Sequence, residues 1–211
     1  MAAMDSSKLA TMCSAINGKA GEYDSTVTAG SKSLVESFNS NWVSNASKTL
    51  AGEIKEVVDK LSDSIFNTFS SMNDAISTSV TNFNNVEDES INYPGFSFSK
   101  PNFDATLANT LPNGKVGVAD GADVNTVANP INTMTQSINS VLGEIVSTVK
   151  SADAFDSAEQ EVLTSAVSTA QSKFNEAMGE LTSSLSTRLE GEQSTRQELN
   201  TTNISNLSMN G

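Results

Sequence analysis

Histidine is missing altogether and Cys13 is the one cysteine, so zinc sites built on Cys or His, His-dependent catalytic triads, and haem or iron–sulfur ligation have no ligands to draw on. A disulfide within the chain is excluded for the same reason. Basic residues are scarce as well: 12 Lys and Arg against 25 Asp and Glu leave a formal charge of −13. Such a chain repels a phosphate backbone or an anionic membrane surface, so no nucleic-acid partner is expected. No stretch approaches the roughly 18 consecutive apolar residues of a membrane span, so no membrane insertion is expected. The amino-terminal MAAMDSSKLATMCSAINGKAG lacks the apolar run of a secretory signal, so a cleaved signal peptide is not expected either. Hydrophobic residues are 37% of 211, whereas Ser, Thr and Asn fill 75 positions. With so few apolar residues, the core must be thin.

Those apolar residues are spaced for helices. Leu9, Met12/Cys13, Ile16, Ala20, Tyr23, Val27, Leu34 and Phe38 step by threes and fours, with one gap at Gly30. Gly18, Gly21 and Gly30 each cost a helix about 1 kcal/mol relative to Ala, so they mark either a kink or the close approach of another helix. The period breaks at residues 39–45, where Asn and Ser favour a turn and caps. It resumes at Ala46, Leu50, Ile54, Val57/Val58, Leu61, Ile65/Phe66, Phe69, Met72, Ile76, Val80 and Phe83. Residues 5–86 therefore read as a helical hairpin. The doublets Val57-Val58 and Ile65-Phe66 widen the second stripe beyond what one neighbour covers, so a further face must be buried.

From residue 87 to 123 the period vanishes, and Pro94, Pro101 and Pro112 interrupt a segment opened by Glu87-Asp88-Glu89. Tyr93, Phe96, Phe98 and Phe103 predict that this connector lies against the bundle, with a short helix over Asp104–Leu111. A second hairpin, residues 124–200, is expected next. Asn129-Pro130 supplies a cap and first-turn proline for Ile131–Val149, and Ser157 with Gln160 forms a capping box for a longer helix through Leu189. The Ser/Thr/Asn-rich tail 201–211 is expected to fray. The fold class is all-α, two long helical hairpins in tandem forming an elongated four-helix bundle.

Little chemistry is legible. Glu53, Glu56, Asp59 and Asp63 interleave with Lys55 and Lys60 at spacings that suit solvated ion pairs, with no sign of the cleft an acid/base pair needs. Asp120, Asp123 and Asn125 lack the spacing and distal Glu of a calcium loop. Sequons at Asn45, Asn200, Asn203 and Asn206 are expected by chance in such a composition. No catalytic residue, metal or cofactor is expected.

One constellation remains. Trp42-Val43-Ser44-Asn45-Ala46 holds the sole Trp, in the turn between two long helices, and Phe83-Asn84-Asn85-Val86-Glu87 closes the second helix with an aromatic four residues before an acid. Over about residues 5–88 the chain resembles the WxG-motif family of small type VII secretion proteins. In that family a helical hairpin bends at Trp-x-Gly, and an aromatic followed four residues on by an acid forms an export signal. Ser44 stands where the family usually has Gly. The resemblance implies a non-enzymatic protein, exported without a cleaved signal peptide and cytoplasmic before export, that acts through helix–helix contacts. Its implied interaction residues are Trp42, Ser44, Phe83 and Glu87. Its implied partners are a secretion ATPase, another WxG-like hairpin, a second copy, or a toxin. Read from the residues alone, Trp42 is equally a hydrophobic plug, and Phe83 and Glu87 a last core residue and a surface charge. Two other classes share the composition: a flagellin-like or phage structural filament subunit, and a helical adaptor or chaperone for a larger secreted toxin.

Overall fold

The computed structural model describes residues 4–209, and of Ser157, Asn200, Thr201 and residues 203–209 it describes the backbone alone. The described residues form an all-α bundle of four helices. Helix α1 (Ser6–Asn41) starts at Asp5, whose carboxylate accepts the backbone N–H groups of Ser7 and Lys8 at 3.0 Å. It buries the stripe from Leu9 to Phe38 that the period predicts. After a two-residue strand β1 (Trp42–Val43) and Ser44, α2 (Asn45–Glu87) runs back for about 65 Å at 1.5 Å per residue. Strand β2 (Gly117–Val118) and a 3₁₀ turn (Val124–Val127) lead into α3 (Ala128–Ala152), and α4 (Ser157–Met209) completes the second hairpin.

The helices form a ring in the order α1, α3, α4, α2. Lys8 pairs with Asp153 at 2.7 Å and Lys19 with Glu144 at 2.5 Å, so α1 and α3 run antiparallel. Asn139 on α3 accepts from Gln171 and Asn175 on α4, and Glu53 on α2 pairs with Arg188 on α4. Close approach accounts for one of the three glycines: a Cβ on Gly30 would lie 2.9 Å from Cβ of Met134 and 2.5 Å from its Sδ, whereas nothing lies within 4 Å of such an atom at Gly18 or Gly21. Opposite signs are therefore expected. Gly30→Ala forces α3 away and costs about 1–3 kcal/mol, while Gly18→Ala and Gly21→Ala each stabilise by about 0.5–1 kcal/mol. Urea midpoints of the three variants check this.

The backbones of α1 and α2 hardly approach each other, and the chain fills that gap with its own connector. Residues 89–108 form an extended strap seated between them, followed by bends and turns at 109–114. Asn17 accepts the N–H of Ser97 at 2.9 Å, the Ser31 hydroxyl bonds the N–H and C=O of Asp104, and Asn39 accepts from Ala108 at 2.8 Å. From α2, Asn84 brackets both backbone groups of Ile91, Asn73 accepts from Tyr93 Oη and from the Phe96 N–H, and Lys55 donates to the Phe103 carbonyl. The rungs stay in step because an extended residue rises about 3.3 Å, roughly twice a helical one, so Ser97 to Asp104 spans what Asn17 to Ser31 spans. Phe98 stacks on Phe69 at 4.0 Å between centroids and lies 5.7 Å from the Tyr23 ring.

The wide stripe of α2 thus divides. Phe66 lies under Lys100 of the strap, and Val57 faces α4. Tyr23 bridges α1 to α2 through its hydroxyl, which donates to Ser62 Oγ at 3.0 Å. Burial pushes the Tyr23 phenol up to about 12, partly offset by the Ser62 bond. Because the folded value lies above the unfolded value near 10.0, the associated stability is complete below pH 10 and is lost as pH rises toward 12. Tyr23→Phe is expected to flatten this alkaline loss by about 2–3 kcal/mol, read from urea midpoints between pH 8 and 12.

Several expectations need correction. Residues 104–111 form no helix, since strap hydrogen bonds to Ser31 and Asn39 replace those a helix would make. Asn129 is not the cap of α3. That helix continues from the 3₁₀ turn, which Asp123 starts by accepting the N–H of Asn125, and Pro130 occupies its first turn. Ser157 is the first residue of α4 rather than its cap, and the Gln160 side chain donates to the Val149 carbonyl, an orphan of the last turn of α3. The helix also continues through Met209, over most of the tail expected to fray; residues 210–211 lie outside the described residues.

Candidate functional site

The bend is three residues long. Trp42 and Val43 pair with Val118 and Gly117, and the Ala119 N–H bonds the Asn41 carbonyl, so β2 clamps the corner from outside. The indole of Trp42 is 1% exposed, 6.0 Å from the Phe38 ring and 5.4 Å from the Arg196 guanidinium of α4. Among the described residues its buried Nε1 has no hydrogen-bond partner. Trp42 therefore ties α1, the β clamp and the distal part of α4 together.

Ser44 has a specific task. Its hydroxyl accepts the Ser47 N–H while the Ser47 hydroxyl accepts the Ser44 N–H, a reciprocal capping box that satisfies two orphan donors of α2. Its φ of −159° is extended backbone open to any residue, so nothing at this corner calls for the glycine of a Trp-x-Gly bend.

Phe83 and Glu87 lie at the other end of α2, about 60 Å from Trp42 along the helix. They occupy one turn, Phe83 half-buried and Glu87 exposed. Asp88 ends the helix in the left-handed region at φ 54°, and Asn84 turns the chain into the strap through Ile91. The monomer does not bring the bend and this end together. It does bring the α3–α4 bend to α2: Phe155 packs near Ile76 and Ser79, one to two turns before Phe83.

The four carboxylates in the first half of α2 are all paired: Glu56 with Lys60, Asp59 with Lys55, Asp63 with Lys100 of the strap, and Glu53 with Arg188. The hydrogen bond and charge of Lys60 hold the Glu56 carboxyl below its ordinary value. Asp123 and Asn125 serve structure, Asn125 donating to Gln193 of α4 at 3.0 Å. Among the described residues no group of three or more Cys, Asp or Glu side chains converges to hold a metal ion, and no helix is long and apolar enough to cross a membrane.

Two features escaped the sequence reading. The strap anchors Asn17, Ser31, Asn73 and Asn84 looked like part of a surface bias; their position beside buried residues such as Ile16 and Met72 was the available signal. An apolar cleft where α4 begins, beside Ala75, Phe155 and Val162, joins residues more than 70 apart in sequence and left no local trace. No protein-family model matches this chain, and comparison with curated proteins and with solved structures finds none similar to it.

Proposed function

We propose that this chain is a non-enzymatic protein of a bacterial type VII secretion pathway, exported as a folded bundle and acting through protein–protein contacts as cargo or as a secretion partner. The observation that carries the reading is Trp42, buried at the corner where two long helices reverse direction. Two arrangements add support. The second hairpin lies antiparallel on α2, where the resemblance implies a dimer partner, and its bend carries Phe155 toward the end of α2 that holds Phe83 and Glu87. Ser44 in place of Gly does not weaken the reading, because this bend needs a cap there and no left-handed backbone.

Export from a host with a type VII system tests the proposal. The protein is expected in the medium, and a folded Phe83→Ala/Glu87→Ala double variant is expected to stay in the cells. Unchanged export of that variant removes the functional role of the pair. Open-ended assembly of the purified protein, read by light scattering, would favour a filament subunit instead. A stoichiometric toxin recovered with it from its host would favour the adaptor.

A further inference from the structure

Beside the last turns of α2 the described residues leave a cleft of about 280 Å³. Ile76, Phe155 and Leu163 are buried in its walls, Ala75 and Ala158 line its rim, and Val162 stands 69% exposed at its mouth. A dry cavity of about 150 Å³ already holds a benzene, so this one admits a large aliphatic or aromatic side chain. Val86, 78% exposed, continues the same α2 stripe as Ala75 and Ser79, at steps of four and seven residues. Val86 therefore adds one exposed apolar residue to this face near the end of the helix, beyond the polar Ser79 and Asn82.

The surroundings decide what fits there. Residues 74–89 and 150–162 hold eight acids and one basic residue, Lys150, and the nearby Lys8 amine is already paired with Asp153. Glu87, Asp88 and Glu89 sit at the carboxyl end of α2, where the helix dipole is negative and cations are favoured, and no basic residue lies in its last turn. Glu159 lines the cleft itself. Three acids are thus held where they cost the helix stability, next to the exposed Val86 and about 12–15 Å along the chain beyond the Ser79 edge of the cleft.

We infer that this end of the bundle docks a basic protein segment, which inserts one large apolar side chain between Ala75, Phe155 and Val162 and sets Lys or Arg over Glu87 and Glu159. Assigning that segment to a secretion machine rests on the export reading above. The docking itself does not.

Calorimetric titration of the full chain tests it, with a synthetic amphipathic Leu/Lys peptide carrying one Phe as the probe. Binding is expected to weaken about tenfold or more when the peptide Phe becomes Ser, and likewise when Ala158→Trp fills the cleft. Val162→Ser, at an exposed position that does not endanger folding, is expected to weaken binding severalfold. Glu87→Gln/Glu159→Gln is expected to lower affinity and its salt dependence. The distant pair Asp24→Asn/Glu36→Gln is expected to change neither. Absent binding, insensitivity to both cleft variants, or equal losses from the distant pair would each overturn the inference, whatever the export assay gives.

Discussion

Trp42→Ala is expected to lower stability by about 3–5 kcal/mol, the range for deleting a large buried aromatic side chain. For a chain of this size that is roughly 6–20 °C in Tm. The loss comes from three neighbours at once. The indole packs at 6.0 Å from Phe38, supports the strand that pairs with Gly117 and Val118, and lies under Arg196 at 5.4 Å. Trp42→Phe is expected to cost less than half as much, because a ring remains and, among the described residues, the Nε1 donor that disappears has no partner to lose. Urea unfolding followed by circular dichroism distinguishes the two. A loss below about 1 kcal/mol for the Ala variant would assign the corner to the Ser44 capping box and the β clamp instead.

Phe98→Ala is expected to cost about 3–5 kcal/mol as well, and to act locally. Phe98 is the middle rung of the strap, stacked on Phe69 and tilted against Tyr23, and without it the strap is held mainly by side-chain hydrogen bonds from Asn17, Asn73 and Ser31. Cys13 reports the opening. It is 1% exposed beneath Tyr93 and Gly95, and burial pushes its thiol up. Alkylation in the absence of denaturant is expected to accelerate at least about tenfold in Phe98→Ala, since a segment that opens alone uncovers the thiol without global unfolding. Asn73→Ala removes the acceptor for the Phe96 N–H and Tyr93 Oη, at a cost of about 1–3 kcal/mol, and is expected to give a smaller acceleration. Labelling that merely follows global stability would show that strap and bundle unfold together.

The strap shows where sequence reading stops. Its aromatics correctly placed the connector against the bundle, but the helix expected over 104–111 does not form. Asp104 and Ala108 spend their backbone donors on Ser31 and Asn39, residues 73 and 69 positions away, and no local pattern records such pairing. The same remoteness hid the cleft, whose walls come from α2 and from the start of α4. At the corner the difficulty was reversed. Ser44 stands where the motif's glycine would supply backbone freedom, yet its φ of −159° uses none, and its hydroxyl caps α2.

By itself, the sequence determined four helices, the reversals after the first and third, and which stripe of each faces inward. These follow from a period of 3.6 residues, a local property that survives in one dimension. Tertiary structure decided the ring order, the kind of contact each glycine makes, and the extended strap in the gap between α1 and α2. It also decided the acidic cleft at the far end. Each of these depends on groups brought together from distant positions, so their energies exist only once the helices have packed.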